Sequence, residues 1–243
     1  MAMLLRERMT VTVPEGEVDG IKVQRFEVKP HNLENLRAAL RGGRQTRPGM
    51  YTKLIEVEKN GGGTFWMSDT DAEKEDHIPA VRAIELEKAE RVLIHGLGLG
   101  MVLAAALSYE HVKHVDVVER DDRVIKLVGP HYTRDSRVTI HHADAFEHMR
   151  SLPEDVKWDV VWTDIWSEIC ADNLPEMKEF SDFFTPRCKF HGNWSEDVAK
   201  RSVWDNRHWG KSYLKFLTED DKEQFRDEDA QEEDWDDEED EDD

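Results

Sequence analysis

Three glycines at alternate positions, Gly96, Gly98 and Gly100, separate two apolar runs of the sequence. The run before them, 91–95, predicts a short buried strand, and the run after them, 101–107, predicts a helix. Glycine adopts the positive backbone angles of a tight turn and leaves room for a ligand to approach the backbone. The loop between this strand and this helix is therefore a predicted binding site.

A carboxylate stands at the end of the next predicted strand. Glu119 follows Gly100 by nineteen residues, where a carboxylate can accept the ribose hydroxyls of a nucleoside. Loop and carboxylate together predict a nucleoside site, and His95, directly before the first glycine, is predicted to touch the same ligand. A dinucleotide fingerprint needs glycine or alanine where this chain has Met101, so NAD is disfavoured, and the P-loop pattern is absent from the sequence.

A second group that could do chemistry, Asp164, directly follows the apolar stretch 158–163. Open parallel sheets bind ligands beyond the carboxyl ends of their strands. A carboxylate there could orient an amine and take its proton during nucleophilic attack. The alternative is that Asp164 caps a helix. Trp166 could stack on a planar substrate or on adenine, or it could simply pack in the interior.

Metal and thiol chemistry are disfavoured by the sequence. No two of the histidines near these segments form a convincing metal pair with a carboxylate, so no metal ligand is predicted. Cys170 and Cys188 have no evident activating neighbour and no paired-cysteine spacing. Both are expected to be ordinary thiols.

Alternating strands and helices must position these groups. Such alternation predicts an α/β fold, a Rossmann-like open and mostly parallel sheet with strand order 3-2-1-4-5, lacking the last two of the usual seven strands. The predicted strands are 91–95, 114–119, 137–141, 158–163 and 187–191, and the predicted helices are 71–90, 101–107, 122–128, 145–152, 174–183 and one from Ser195.

Two β-hairpins are predicted before this sheet. Apolar and polar residues alternate in 9–13 and 21–28, which indicates the first hairpin, and 51–58 with 64–67 indicates the second. Between the hairpins, 32–40 has apolar residues at helical spacing and predicts a short helix.

The composition divides the chain into an N-terminal hairpin and helix region, 1–68, a ligand-binding domain, 69–218, and an acidic tail, 219–243. The tail has 18 acidic and two basic residues and is predicted to be disordered. With a net charge of −21, the chain disfavours nucleic acid as a partner, and the basic cluster 37–47 is expected to be a solvated loop. No apolar run is long enough for a membrane span, so a cytoplasmic protein is expected.

The segments 92–100, 142–145 and 158–164, together with Glu119, resemble the class I methyltransferases that depend on S-adenosylmethionine (SAM), specifically their spermidine-synthase-like branch. The resemblance implies that the three glycines lie beside the methionine part of the cofactor and that Glu119 binds the ribose. It also implies that Asp144 and Ala145 lie near the adenine amino group and that Asp164 lies at the reacting end.

The segment 67–77 is similar to the one that precedes the glycine loop in spermidine synthases, and on this basis Asp69 and His77 are predicted substrate residues. The chain also resembles short proteins of this type from bacterial viruses and their hosts. It departs from spermidine synthases at Leu99, where they have an acidic residue. It departs again at 163–166, where they have a tyrosine and paired aspartates.

The glycine loop, Glu119, Asp144 and Asp164 together give the leading prediction, methyl transfer from SAM to a small acceptor such as an amine. One alternative is aminopropyl transfer from decarboxylated SAM to a polyamine. A second alternative is a non-catalytic interaction protein that binds an adenosyl ligand such as S-adenosylhomocysteine and whose tail binds a basic partner. A homo-oligomer is compatible with each of these hypotheses.

Overall fold

The computed structural model describes residues 2–30, 46–57, 62–207 and 212–236. The chain divides into two compact units. The first consists of residues 1–167 and 182–194, and the second consists of residues 168–181 and 195–243. None of the helices within the described ranges is long and apolar enough to span a membrane.

The first unit begins with a helix and a four-stranded antiparallel sheet whose strands pair in chain order. The elements are α1 (Ala2–Arg8), β1 (Gly16–Val18), β2 (Ile21–Val28), β3 (Gly49–Val57) and β4 (Gly63–Ser68). The second predicted hairpin is thus confirmed as β3 and β4, although its turn, 58–61, lies outside the described residues. The predicted helix 32–40 lies outside them as well.

The prediction of a strand at 9–13 is wrong, since β2 pairs with β1 instead. The alternation in this segment has another cause: Met9, Val11 and Val13 are buried, whereas Thr10 and Thr12 are exposed. An extended segment can bury every second side chain without pairing its backbone in a sheet. Alternation at 9–13 therefore reports burial and not strand pairing.

Two short helices, α2 (Asp71–Asp76) and α3 (Ile78–Leu86), occupy the region predicted as one helix. His77 lies between them, and Pro79 is in the first turn of α3. Proline fits a first helical turn because it needs no N–H partner there. The break places His77 at the junction, where its side chain is buried.

A five-stranded parallel sheet forms the centre of the first unit, and its strand order confirms the predicted 3-2-1-4-5 arrangement. In chain order the strands and the helices between them are β5 (Arg91–His95), α4 (Met101–Leu107), β6 (His114–Glu119), α5 (Asp122–Tyr132), β7 (Val138–His142), α6 (Ala145–Ser151), β8 (Val160–Thr163), α7 (Leu174–Phe184) and β9 (Phe190–Asn193). Residues 174–181 of α7 belong to the second unit. Within the described ranges this sheet has no sixth or seventh strand.

One apolar core joins the two sheets of the first unit. Buried side chains of the antiparallel sheet, such as Ile21, Val23 and Leu54, belong to the same cluster as Val92 and Val117 of the parallel sheet. Apolar burial is the main stabilising contribution to folding. The shared core fixes β4, which carries part of the site described below, against the glycine loop.

The second unit contains α8 (Glu196–Asp205) and α9 (Glu219–Asp236). The prediction of a disordered tail is therefore wrong for 219–236, while 237–243 lie outside the described residues. The acidic composition predicts disorder, but a buried apolar residue anchors the helix. Phe225 is buried and packs on Trp204. Arg201 also forms ion pairs with Glu228 and Asp229 of the acidic helix.

Candidate active site at the carboxyl ends of the parallel strands

The glycine loop after β5 has the backbone conformation that its sequence predicts. Gly96, Gly98 and Gly100 have φ angles of +94°, +48° and +78°, a region that side chains other than glycine rarely adopt. A Cβ atom on Gly96 would overlap the backbone carbonyl oxygen of Asp164. The ends of β5 and β8 can therefore approach this closely only because residue 96 is glycine.

Glu119, at the end of β6, holds the loop. One of its carboxylate oxygens accepts a hydrogen bond from the Leu97 N–H at 2.8 Å, and the other accepts one from the Asp121 N–H at 2.8 Å. The predicted neighbourhood of loop and carboxylate is thus present. Carboxylate oxygens have further lone pairs, so Glu119 can still accept hydrogen bonds from a ligand.

Met67 and Tyr132 support the loop from outside it. The Leu99 N–H donates to the Met67 Sδ atom at 3.3 Å, and the Tyr132 hydroxyl donates to the Leu99 carbonyl oxygen at 2.9 Å. The Leu99 side chain itself is fully buried in the apolar core. The departure from the family pattern at this position therefore serves packing and does not alter the pocket lining.

Asp164 directly follows β8 and lines a narrow pocket together with Gly96, Met67, His77 and Trp162. About a quarter of its side chain, 26%, is exposed. Burial raises the pKa of the Asp164 carboxyl to about 8, and negative charges nearby contribute to the rise. A carboxyl group in this state can hold or release a proton near neutral pH.

The negative charges near Asp164 form an acidic cluster of Glu73, Asp76, Glu119 and Asp164. Burial raises the pKa of Glu73 to about 7, and the charges of Asp76 and Asp69 contribute to that rise. Like charges held together in this way favour a bound cation, because a cation relieves their mutual repulsion. The reacting end of the site therefore suits a positively charged group such as an amine.

His77 lies beside Asp164, with its Nε2 atom 3.9 Å from the carboxylate Oδ2 atom. Burial lowers the pKa of His77 to about 4, so the imidazole is neutral at physiological pH. Its Nδ1 atom is buried and has no hydrogen-bond partner in the structure. The predicted substrate residue His77 thus contributes an uncharged polar group to the pocket.

Asp69 and Trp166, the other two predicted substrate residues, lie differently. The buried Asp69 carboxylate accepts a hydrogen bond from the Thr52 N–H at 2.6 Å, and the Asp69 N–H donates to the Thr52 carbonyl at 2.9 Å. Asp69 therefore ties the end of β4 to β3. Trp166 is half-buried two residues after Asp164, so its substrate role stays a prediction.

The His95 side chain does not line the pocket, and the contact of this residue with a ligand stays a prediction. Its side chain is fully buried, lies within hydrogen-bond distance of Thr163 and packs on Phe184 and His148. Successive side chains of a strand point to opposite faces, and the neighbours Ile94 and Gly96 are the ones that line the pocket. At His95 only the backbone borders the site, since its carbonyl oxygen accepts from the Asp164 N–H at 2.9 Å.

Asp144 and Ala145 stand at the start of α6, beyond the end of β7. The Asp144 carboxylate caps this helix by accepting from the N–H groups of Phe146 and Glu147. Asp144 also lines an open depression with Ala143, His142 and Arg120, whereas Ala145 is buried. The depression lies where the resemblance places adenine, and the adenine roles of both residues stay predictions.

Three features of the site have no clear signal in the sequence. Tyr132 is distant in sequence from the loop that it supports, as is Met67, which is 32 residues from Leu99. Arg123 lines the depression and bonds Asp121, and its guanidinium faces the Trp66 ring. Within the described ranges, no group of three histidine, cysteine, aspartate or glutamate side chains is arranged to hold a metal ion.

A family model, the spermine/spermidine synthase domain, matches residues 72–190. A polyamine aminopropyltransferase from Prochlorococcus marinus is 33% identical over 93 residues, which cover 36% of this chain and 32% of the relative. The chain thus matches about a third of this curated relative's length. These findings favour the aminopropyl alternative over the methyl transfer that the sequence predicted.

Two solved structures are similar to this chain at low sequence identity. A spermidine synthase from Thermotoga maritima is 19% identical with a TM-score of 0.48, covering 84% of this chain and 62% of that one. An N-methyltransferase from Bradyrhizobium japonicum is 16% identical with a TM-score of 0.41, covering 60% and 81%. Residues 72–190 thus match a spermine/spermidine synthase domain, and the chain has a Rossmann-like methyltransferase fold.

Proposed function

We propose that this protein transfers an aminopropyl group from decarboxylated SAM to an amine. The observation that carries the proposal is the acidic cluster at the reacting end of the site, where the charges of Glu73, Asp76 and Glu119 act on Asp164 and help to raise its pKa. Both the amine acceptor and the aminopropyl group of the donor carry positive charge. The family match and the curated relative support the same reaction.

The choice of donor follows from the charges in the pocket. SAM carries a carboxylate that decarboxylated SAM lacks, and a carboxylate in a protein site needs cationic or N–H donors. Among the described residues that line the pocket there is no lysine or arginine, and the ionisable residues are Asp164 and His77. Repulsion from the acidic cluster therefore disfavours SAM relative to its decarboxylated form.

The residues present fit an adenosyl ligand of this type. The positive-φ glycines give the tight turn that brings the loop backbone to the pocket, Glu119 supplies the ribose acceptor, and the buried Nδ1 atom of His77 has no protein partner. When bound, the sulfonium supplies an electrophilic carbon and a neutral thioether leaving group. Gly96 and Glu119 would hold the nucleoside, and Asp164 would face the reacting carbon.

In the reaction, Asp164 orients the acceptor nitrogen and takes the proton that this nitrogen loses as it forms its bond to the aminopropyl carbon. The carbon–sulfur bond breaks at the same time, and its electron pair goes to sulfur. Glu73 and Asp76 keep the second cationic group of a polyamine nearby. Most of the rate acceleration comes from alignment of the two reactants and from proton transfer to Asp164.

The proposal is tested by supplying the purified chain with putrescine and with either SAM or decarboxylated SAM, and by reading the products by mass. We expect putrescine extended by one aminopropyl group, and only with decarboxylated SAM. Methylated putrescine formed with SAM would refute the proposal and restore methyl transfer as the function. Absence of any product from a panel of amines would favour the non-catalytic alternative.

The acidic cluster also predicts how activity depends on pH. If Asp164 must be ionised to accept a proton, kcat/KM rises with pH and is half-maximal near pH 8, the pKa of Asp164. In Glu73→Gln one negative charge near Asp164 is removed, so its pKa falls and the midpoint moves to lower pH by roughly half a unit. The measurement is kcat/KM from pH 6 to 10 with one amine.

Glu75→Gln is the matched control for Glu73→Gln. Glu75 lies on the same helix, α2, but forms an ion pair with Arg6 at 2.8 Å and does not contribute to the raised pKa of Asp164. Its pH profile should coincide with that of the wild type. A midpoint that stays fixed or rises in Glu73→Gln would contradict the assignment of this pH dependence to Asp164.

A further inference from the structure

Four of the five N–H groups of the glycine loop, those of Gly96, Leu97, Leu99 and Gly100, donate hydrogen bonds within the protein. Gly96 donates to the Val118 carbonyl at 2.8 Å and Gly100 donates to the Leu97 carbonyl at 2.7 Å. Leu97 donates to the Glu119 carboxylate, and Leu99 donates to the Met67 thioether. Three of these four acceptors are strong oxygen acceptors, whereas the Met67 sulfur is a weak one.

The Met67 sulfur also fills the space beside the loop. It lies so close to Gly98 that a Cβ atom on residue 98 would overlap it. Met67 is half-buried at the end of β4 and lines the same pocket as Asp164. The uncharged sulfur atom therefore accepts the hydrogen bond of the Leu99 N–H group and also fills the volume next to it.

We propose that Met67 is a specificity-determining residue that discriminates against the carboxylate of SAM and thereby favours decarboxylated SAM. This inference rests on the proposed function and names a determinant of its donor preference. In a pocket lined by no lysine or arginine among the described residues, the loop N–H groups are the donors that a carboxylate could use. Of the four engaged groups, the Leu99 N–H has the weakest acceptor, the Met67 sulfur, and the same sulfur fills the space beside Gly98. A donor carboxylate would have to displace the Met67 side chain to bond the Leu99 N–H, whereas decarboxylated SAM has no such group.

Isothermal titration calorimetry tests this role without measuring turnover. The ligands are SAM, decarboxylated SAM and 5′-methylthioadenosine, which has neither the amine nor the carboxylate. We expect the wild type to bind decarboxylated SAM more tightly than SAM. In Met67→Ala, we expect the ratio of the dissociation constant for SAM to that for decarboxylated SAM to fall about tenfold. This is the effect expected for a hydrogen bond to a charged group. The affinity for 5′-methylthioadenosine should change less than about threefold.

Two further variants make the result decisive. Met67→Leu keeps the bulk of the side chain and removes the sulfur acceptor. The ratio of the dissociation constants for SAM and decarboxylated SAM should therefore fall by about threefold, less than in Met67→Ala. Met50→Ala removes an exposed methionine from β3 and should leave all three affinities unchanged. If Met67→Ala no longer folds, Met67→Leu decides the question.

The proposal is overturned if the ratio stays the same in Met67→Ala and Met67→Leu while 5′-methylthioadenosine still binds. It is also overturned if the wild type binds SAM as tightly as decarboxylated SAM. These outcomes differ from failure of the proposed function, which would be the absence of aminopropylated amine from the wild type supplied with decarboxylated SAM.

Discussion

Asp164→Asn should lower kcat by about 1,000-fold, within the range expected for a general base, and should at the same time stabilise the folded protein at alkaline pH. The amide cannot take a proton from the acceptor amine, which accounts for the lost activity. The stability gain arises because the amide removes a buried carboxyl that must otherwise ionise beside other carboxylates. Steady-state rates and urea unfolding at pH 5 and pH 9 measure the two effects.

The sign of the stability change follows from the raised pKa of about 8 for Asp164 in the folded protein. An unfolded aspartate has a pKa near 3.9, so the folded state holds a proton between about pH 4 and pH 8 that the unfolded state releases. The free energy of unfolding of the wild type therefore decreases as pH rises through this window. Asp164→Asn lacks this dependence, and its advantage should vanish toward pH 4.

A shift of about four units would correspond to roughly 5–6 kcal/mol if it were felt in full. Because 26% of the Asp164 side chain is exposed, solvent screens part of the effect, and we expect a gain of roughly 2 kcal/mol at pH 9. If Asp164→Asn were no more stable than the wild type at pH 9, ionisation of Asp164 would not lower the free energy of unfolding.

Asp159→Asn is a matched control at the other end of the same strand. Burial tends to raise the pKa of Asp159, but its bonds to Lys189 and to the N–H groups of Glu90 and Arg91 outweigh that tendency and lower it. The ionised form of this carboxyl is thus the one that the fold favours. Asp159→Asn should therefore reduce the free energy of unfolding above about pH 4, opposite in sign to Asp164→Asn.

The central sheet was predictable because its strands are bounded by clear signals. Strand β5 ends at the glycine loop, strand β6 ends at a carboxylate, and both have the predicted bounds. Strand β8 was predicted two residues too early, since Trp158 and Asp159 look like strand residues. Their side chains instead bond Asp116 and the start of β5, so they anchor the strand from outside it. The apolar pattern alone does not distinguish residues within a strand from residues that anchor the strand from outside it.

The acidic segment 219–236 shows a different limit of sequence reasoning. Its charge predicts disorder, and its helix depends on one buried ring and on a cap at its start. Thr218 accepts a hydrogen bond from the Asp221 N–H and Asp221 accepts one from the Thr218 N–H, a reciprocal pattern typical of helix starts. This local signal is present in the sequence, but the prediction of disorder rested on the density of like charge and on the scarcity of apolar residues.

The positions of the site residues that lie at the ends of the parallel strands could be predicted from the sequence. The positions of those that other elements bring to the site could not. Gly96, Glu119 and Asp164 lie at adjacent strand ends, so their proximity follows from strand order. Met67 comes from the antiparallel sheet and Tyr132 from the end of a helix, and only the packed core brings them to the loop. Of the two departures from spermidine synthases in the sequence, the one at Leu99 concerns a side chain that does not line the pocket.

Gly96→Ala should cost about 3–4 kcal/mol of unfolding free energy and lower the affinity for 5′-methylthioadenosine at least about 100-fold. A left-handed backbone costs an alanine roughly 1–2 kcal/mol, and overpacking adds about 1–3 kcal/mol. The overpacking is specific, because the new methyl group would overlap the Asp164 carbonyl at φ +94°. To accommodate it, the ends of β5 and β8 must separate, which moves both the loop and the Asp164 carboxylate away from the ligand.

Gly20→Ala separates the backbone strain from the overlap. Gly20 has a similar φ of +85°, but a Cβ atom there would lie 3.5 Å from the nearest heavy atom, the Val57 carbonyl oxygen, which is an ordinary contact. Its cost should be near 1 kcal/mol, with ligand affinity unchanged. Urea unfolding and calorimetry on both variants make the comparison. If Gly96→Ala and Gly20→Ala lose equal stability and both still bind, the close approach of β5 to β8 is not needed for the site, and residue 96 is glycine only for its backbone angle.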